Sequence, residues 1–135
     1  MEVKLPPDVM FHHDPRLMVW RPRGIVNEKA INDVLAFMGK EESASDKPFN
    51  RFTDALSVES VDLNFRYIFH ISLFRRLSYA GWPVKSAILV TREDFLHYSK
   101  LHQILTQGSS IQVRIFQERN AAAKWLVVSP ESLEY

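Results

Sequence analysis

Two aspartates and two serines in residues 53–65 are the side chains best placed for chemistry. The segment reads TDALSVESVDLNF, with Asp54 and Asp62 near its ends and Ser57 and Ser60 between them. A pair of carboxylates can act as general acid and general base where a pocket brings a substrate proton within hydrogen-bond reach. No nucleophile motif accompanies this pair, so an acid–base site is the less favoured interpretation.

The same segment also predicts the start of a helix. A side-chain oxygen of Asp62 or Asn64 can accept from the free backbone amides of the helix that follows, and we favour this role for the two residues. A phosphate on Ser57 or Ser60 can bind near a helix N-terminus, whereas an unmodified hydroxyl satisfies backbone amides in a turn. We favour the turn, and keep Asp54, Ser57, Ser60, Asp62 and Asn64 as a candidate regulatory loop.

Histidine and cysteine usage predicts no metal site. His12 and His13 are adjacent in a predicted strand, so their side chains point to opposite faces of the sheet. His97 and His102 are five positions apart on a predicted helix, whereas zinc-binding helices place histidines at i and i+4. Cysteine is absent, which removes disulfides, thiolate zinc sites and cysteine nucleophiles. The four glycines form no phosphate-binding loop, and we predict no cofactor.

Two arginine pairs are candidates for binding an acidic group. The first pair is Arg21 with Arg23, and the second is Arg75 with Arg76. Short basic pairs of this kind are usually part of a solvated face. If the pairs converge in the fold, they can hold a phosphorylated or acidic head group through charge-assisted hydrogen bonds.

The surplus of aromatic residues points to an apolar surface or cavity. Phe65, Phe69 and Phe74 on one predicted helix, with Phe95 and Tyr98 on the next, exceed what one core-facing stripe per helix requires. Core packing is the first interpretation, and a dimer face or an apolar cavity between the two helices are the others. The candidate ligand-binding residues are Phe65, Phe69, Phe95 and Tyr98.

Composition bounds the class of protein. The chain has 135 residues, of which 46% are hydrophobic and 24% charged, values typical of a globular domain. Lys and Arg number 17 against 16 for Asp and Glu, so no global field attracts nucleic acid. The start MEVKLPPDVM has no apolar run and is predicted not to be a signal peptide. The apolar runs YIFHISLF and SAILV are shorter than the roughly 20 residues of a membrane helix.

From these features we expect a cytoplasmic protein without a transmembrane segment. It should form a single domain over residues 1–135, with a core at 8–127 and a loose tail at 128–135.

Hydrophobic periodicity and turn residues predict the element order ββαβαβαβα. Asn27 is predicted to cap the first helix and Gly39 to end it, followed by a polar loop. Thr91 and Asp94 resemble a capping box for the third helix, which Gly108 ends. The second helix is apolar almost all round, which predicts cover on more than one side. The predicted elements are strands within 9–20, 49–57, 84–91 and 111–116, and helices within 27–39, 64–81, 91–107 and 118–126.

Three segments carry a resemblance to a known family. NRFTDALSVESVDLNF, PVKSAILV and VRIFQERNAAAKWL resemble the SpoIIAA-like proteins, relatives of the STAS domains of anti-sigma-factor antagonists and sulfate transporters. The resemblance covers the chain from about Leu17 to Leu126. It implies an α/β, STAS-like single domain, with helices packed against a mixed, mostly parallel five-stranded sheet.

The chain departs from the family at its phosphorylation site. Asp54 and Asp62 stand at the separation of two family aspartates, but Leu63 and Asn64 occupy the positions of the serines that follow the second one. Phe65 replaces the family glycine. Neither Leu63 nor Asn64 can accept a phosphoryl group, so the resemblance implies the switch segment without its usual phosphoacceptor.

Two functions follow as expectations. The first is a non-catalytic STAS-like regulatory or interaction module, a homodimer that binds a protein partner. The alternative is a carrier for a small apolar ligand or lipid, because the family resembles the lipid-binding CRAL-TRIO domains in architecture. That carrier can associate peripherally with membranes and has arginines at the mouth of its pocket. Neither expectation involves catalysis, a cofactor or nucleic acid.

Overall fold

The computed structural model describes residues 5–134 as a layered α/β fold. The main elements are β1 (Val9–His13), β2 (Arg16–Trp20), β3 (Gly24–Asn27), α1 (Glu28–Ala44), β4 (Asn50–Asp54), β5 (Val58–Asp62), α2 (Phe65–Ser78), β6 (Val84–Leu89), α3 (Glu93–Thr106), β7 (Ile111–Phe116), α4 (Arg119–Leu126) and a C-terminal 3-10 helix (Pro130–Leu133).

The main sheet has five strands in the order β1-β2-β4-β6-β7. Strand β1 pairs antiparallel with β2, and the other three pairings are parallel. The hairpin turns at Asp14 and Pro15, which the sequence predicted. The predicted mixed, mostly parallel five-stranded sheet is confirmed.

A second sheet was not predicted. It contains β3 and β5, which pair in parallel with an irregular register after Gly24. Both strands are short, and each has one fully buried residue, Val26 in β3 and Val58 in β5. Because the rest of each strand is partly or fully exposed, neither shows the alternation that identifies a strand. The segment 53–65 is therefore two strands joined by a turn, and the predicted single strand-to-helix turn is wrong.

Side chains alternate between the two faces of the main sheet, and each face has its own core. Met18 and Trp20 of β2 pack with residues of α1 and α3. Leu17 and Val19 of the same strand pack with α4 and with Leu133 of the 3-10 helix. The sheet therefore separates a layer that contains α1, α2 and α3 from a layer that contains α4.

Two predicted helix boundaries are wrong and one cap is confirmed. Asn27 accepts a hydrogen bond from Ala30 N at 3.0 Å, as predicted for the first helix. That helix continues through Gly39 to Ala44, because the residues KEESA after the glycine include good helix formers. The third helix begins at Glu93 without a side-chain cap, so the predicted capping box of Thr91 does not form. Gly108 follows the helix with φ +77°, a left-handed angle that favours glycine.

The prediction of a loose tail at 128–135 is wrong for residues 128–134. Leu133 is fully buried under the sheet. Its carbonyl accepts a hydrogen bond from Arg21 Nη2, and His12 Nε2 bonds the carbonyl of Ser132 at 2.9 Å. These contacts fix the C-terminal 3-10 helix against the hairpin. Tyr135 and residues 1–4 lie outside the described residues. Residues 1–4 belong to the start of the chain that was predicted not to be a signal peptide.

Helix α2 is covered on one side only, so the prediction that it is covered on several sides is wrong. Its buried residues are Ile68, Ser72 and Arg75, which lie on one face. Phe74 is 62% exposed and Leu77 is 82% exposed. None of the helices within residues 5–134 combines the length and apolar character needed to cross a membrane.

Candidate functional site

A cavity of about 130 Å³ lies between the main sheet and the layer of α1, α2 and α3. Strands β2, β4 and β6 form its floor, and the three helices form its roof. Its walls are mostly apolar side chains, among them Met18, Trp20, Met38, Ile68, Ile88 and Phe95. The cavity is therefore a mostly apolar space between the two layers of the domain.

Two buried arginines and one carboxylate add charge beside this cavity. Arg51, the second residue of β4, is 2% exposed, and Arg75 is buried on α2. Glu42 on α1 receives Arg75 Nη1 at 3.0 Å and Nη2 at 2.6 Å, and it also receives Arg51 Nη2. Both arginines line the cavity, whereas Glu42 does not. Two guanidinium groups thus share one carboxylate.

Arg51 has N–H donors without an acceptor among the described residues. Its Nε and Nη1 atoms are buried and have no hydrogen-bond partner within residues 5–134. The guanidinium carbon lies 4.5 Å from the centroid of the Phe49 ring and 5.4 Å from that of Tyr79, which holds the group by cation–π attraction. Burial lowers the pKa of Arg51 to about 10, an effect that Glu42 opposes and Arg75 reinforces. The site is thus positively charged and costly to desolvate.

His102 lines the same cavity in a neutral form. Its Nδ1 atom lies 2.7 Å from the hydroxyl oxygen of Ser72 on α2. Burial, together with the smaller effect of the nearby Arg75 charge, lowers the pKa of His102 to about 4. The ring therefore stays uncharged at neutral pH and adds no third positive charge to the cavity.

Acidification should destabilise the protein through His102. The unfolded chain takes up a proton near the ordinary histidine pKa of about 6.5, whereas the folded chain does so only near 4. Stability from the neutral ring is thus complete above the unfolded pKa and is lost as the pH falls toward 4. We expect wild type to lose about 3 kcal/mol more than His102→Gln between pH 7 and pH 4 in urea unfolding.

The matched control for this effect is His97→Gln, an exposed histidine on the same helix. It should keep the pH dependence of the wild type. An unchanged dependence in His102→Gln would contradict the assignment of the effect to His102.

The predicted ligand-binding residues divide between the cavity and the surface. Phe95 and Tyr98 line the cavity, and the Tyr98 hydroxyl donates to the carbonyl of Leu63 at 2.9 Å. Phe65 and Phe69 are not among the lining residues. Phe65 is exposed and contacts the Tyr98 ring from outside, with ring centroids 4.9 Å apart. Phe69 is 45% exposed.

Alanine substitutions should separate the two groups of aromatic residues. Phe95 is 7% exposed, so Phe95→Ala should lower the free energy of unfolding by about 3–5 kcal/mol. Phe69→Ala, which removes a half-exposed ring, should cost less than about 1.5 kcal/mol. Chemical denaturation of both variants measures the difference. Equal losses would mean that Phe69 is packed as a core residue.

Asp54 lies on the opposite face of the sheet from the cavity. Its Oδ2 atom receives Arg21 Nε at 3.1 Å and Arg119 Nη2 at 2.9 Å. Its Oδ1 atom receives the backbone N–H of Leu56 at 3.0 Å. Asp62 ends β5 in the second sheet and is exposed. The two aspartates therefore stand in different sheets, and Asp54 is part of a buried ion-pair cluster.

The candidate regulatory residues are also separated. Ser57 is exposed in the turn before β5, whereas Ser60 lies inside β5 opposite Ile25, so the prediction that they share one loop is wrong. Asn64 caps α2 by accepting from Tyr67 N at 2.8 Å, which confirms its predicted capping role. Strand β5 lies between Ser57 and the helix. The turn that contains Ser57 is thus separated from the N-terminus of α2 by roughly 17 Å of extended chain.

The predicted arginine pairs do not converge. Arg23 pairs with Asp8 at 2.7 Å, and Arg76 donates to the carbonyls of Leu105 and Gln107. Of the four predicted arginines, Arg75 alone lines the cavity among residues 5–134.

Sequence reasoning missed Arg51 and Glu42. Arg51 precedes Phe52 in a strand, so strict alternation places it on the other face, which is an interior one. Glu42 falls in the segment predicted as a loop. Its orientation toward the core follows from the extra turn of α1, which the sequence did not predict.

Comparison with known proteins identifies the fold. An uncharacterized protein of the DUF3478 family from Shewanella loihica PV-4, solved with a SpoIIAA-like fold, matches this chain with a TM-score of 0.57. The match covers 87% of this chain and 90% of the other at 13% sequence identity. No protein-family model matches the chain, and no curated protein matches it. The chain therefore has a SpoIIAA-like fold, which was the fold predicted from its resemblance to those proteins.

Proposed function

We propose that the protein is a non-catalytic binding module that takes a small, mostly apolar molecule into the cavity beneath α1, α2 and α3. The observation that supports this function is the cavity of about 130 Å³, walled by apolar side chains from both layers. Protein cores are packed nearly as densely as organic crystals and contain few voids larger than a water molecule. A core volume of this size is therefore a candidate ligand site.

The energetic cost of such a volume supports the proposal. Apolar side chains that face unfilled space lose the dispersion contacts of a packed core, so an empty volume at this place is destabilising. A ligand that fills it recovers much of that free energy through dispersion contacts and burial of its own apolar surface.

The volume also limits the size of the ligand. An engineered apolar cavity of about 150 Å³ binds benzene, whereas sites for drug-sized ligands measure about 300–1,000 Å³. The cavity here therefore suits a molecule of roughly six to nine non-hydrogen atoms. A membrane lipid is too large, so the proposal narrows the predicted lipid carrier to a small-molecule binder.

Benzene is the probe that tests this function. In methyl NMR spectra, saturating benzene should shift the resonances of Ile68, Ile71 and Ile88, which line the cavity. It should also raise the unfolding temperature. In Ser99→Leu, a larger side chain enters the cavity from α3 and should abolish both effects.

Lys100→Leu adds the same side chain at the next, exposed position of α3 and serves as the matched control. It should leave benzene binding unchanged. Isoleucine resonances that do not respond to benzene in the wild type would refute the proposed function.

A second candidate function is an interaction module that pairs with a second copy of this chain. The outer side of α2 favours it, because Phe74 and Leu77 are largely exposed apolar residues on one element. Since Leu63 and Asn64 cannot accept a phosphoryl group, such a module would not be regulated by phosphorylation at these two positions.

Sedimentation velocity tests the second candidate function. The wild type should sediment as a dimer, and the double variant Phe74→Asp/Leu77→Glu should sediment as a folded monomer. A monomeric wild type at high protein concentration would exclude this function.

A further inference from the structure

We propose that the ligand of the cavity carries a carboxylate, which Arg51 binds, so that the ligand class is a small apolar carboxylic acid. This inference rests on the proposed function, and it names the chemical class that the same cavity takes. Its basis is the combination of an apolar space with a buried arginine whose donors are incompletely used.

The first step of the argument is charge. Arg51 and Arg75 both line the cavity, and no aspartate or glutamate within residues 5–134 does. Glu42 bonds both arginines from outside the cavity and neutralises one of them. A buried charge without a partner is costly, so the second guanidinium is stabilised by an anion that enters the cavity. A ligand with one negative charge makes the net charge of the two arginines, Glu42 and the ligand zero.

The second step is the hydrogen-bonding capacity of Arg51. Glu42 receives Nη2, which leaves Nε and Nη1 without a partner among the described residues. Stacking on the Phe49 ring holds the guanidinium plane, and the N–H groups of Nε and Nη1, which lie on different edges of that plane, remain able to donate. A carboxylate is an acceptor-only group and can accept a charge-assisted hydrogen bond from either of these two donors. Arg75 has two bonds to Glu42 and is the less available of the two arginines.

The third step decides which space receives the anion. Arg51 also lines a wider surface pocket of about 440 Å³, to which Asp46, Lys47 and Glu42 contribute. The carboxylates of Glu42 and Asp46 line that pocket and would repel an anion, whereas no aspartate or glutamate within residues 5–134 lines the interior cavity. The interior cavity has an excess, and its low polarity strengthens the attraction between Arg51 and an anion.

Benzoate and benzyl alcohol are the probes that test this inference, because they are close in size and differ in charge. Calorimetric titration of the wild type should show that benzoate binds at least about tenfold more tightly, a difference of about 1.4 kcal/mol. Arg51→Met leaves the neutral pair of Glu42 and Arg75. It should remove this preference and keep the binding of benzyl alcohol. Arg66→Met removes an exposed arginine of α2 and should preserve the preference.

The ring of His102 gives a second measurement on the wild type, independent of any variant. The groups that act on this ring are Ser72 and Arg75 from α2, and Arg51 from β4 lines the same cavity, so a carboxylate bound there adds a negative charge near the ring. Benzoate should therefore raise the pKa of His102 in an NMR titration, and benzyl alcohol should not. This result keeps the inference testable if Arg51→Met does not fold.

The possible outcomes separate the two proposals. Equal affinity for the two probes overturns the carboxylate inference and leaves the binding function in place. Binding of neither probe, together with no response to benzene, overturns both proposals. A preference for benzoate that persists in a folded Arg51→Met variant assigns the anion to another group and overturns the role of Arg51.

Discussion

Glu42→Gln should lower the free energy of unfolding by about 3 kcal/mol, because breaking a buried ion pair from one side leaves an uncompensated charge. Both Arg51 and Arg75 depend on this carboxylate, and both are buried. Urea denaturation at neutral pH measures the loss. Glu41→Gln removes the same charge from the neighbouring position, which makes no ion pair among the described residues, and should change stability by less than about 0.5 kcal/mol.

A double variant tests the cause of this loss. Adding Arg51→Met to Glu42→Gln removes one of the two stranded charges and should recover part of the stability, since apolar groups often replace buried ions without loss. If the double variant is less stable than Glu42→Gln alone, packing of Arg51 rather than its charge dominates.

Asp54→Ala should be the more damaging change, with an expected loss of about 3–5 kcal/mol. Its carboxylate holds Arg21 and Arg119, and it also accepts the N–H of Leu56 at the end of β4. The 3-10 helix should loosen as well, because Arg21 also bonds the Leu133 carbonyl. Thermal denaturation measures the first effect and amide hydrogen exchange the second.

Asp62→Ala is the control for Asp54→Ala, since Asp62 is exposed at the end of β5. Its effect should stay within about 0.5 kcal/mol. These two variants also test the hypothesis that Asp54 and Asp62 act as general acid and general base. A catalytic aspartate is often held at a cost in stability, so a neutral or stabilising Asp54→Ala would favour that interpretation over the structural one.

The sequence predicted the main sheet because its strands have a strong local signal. VKSAIL ends in an apolar run, AIL, whose residues are all buried, and IQVRIF alternates with period two. The two strands of the second sheet have no such signal. They are identified by pairing with each other across 30 residues of chain, which includes α1, and pairing between distant segments is not visible in local periodicity.

The candidate site was predicted in part for a similar reason. Phe95 and Tyr98 followed from the stripe of a helix, and both line the cavity. Phe69 belongs to a helix with aromatic residues on several faces, so composition did not reveal which face is buried. The pairing of Glu42 with Arg51 and Arg75 joins α1, β4 and α2, and no spacing within one element indicates a contact among three.

Strand β4 carries charged side chains of opposite sign toward opposite layers, and this arrangement fixes how the strand can pair. Arg51 meets a carboxylate above the sheet, while Asp54 meets two guanidinium groups below it. A slip of one residue would exchange the faces of all five residues. Arg51 would then be placed toward the arginines around Asp54, and Asp54 would lose both of its partners. Chains with β4 in a shifted register should therefore be destabilised electrostatically, so the charges of this strand favour one register of the sheet.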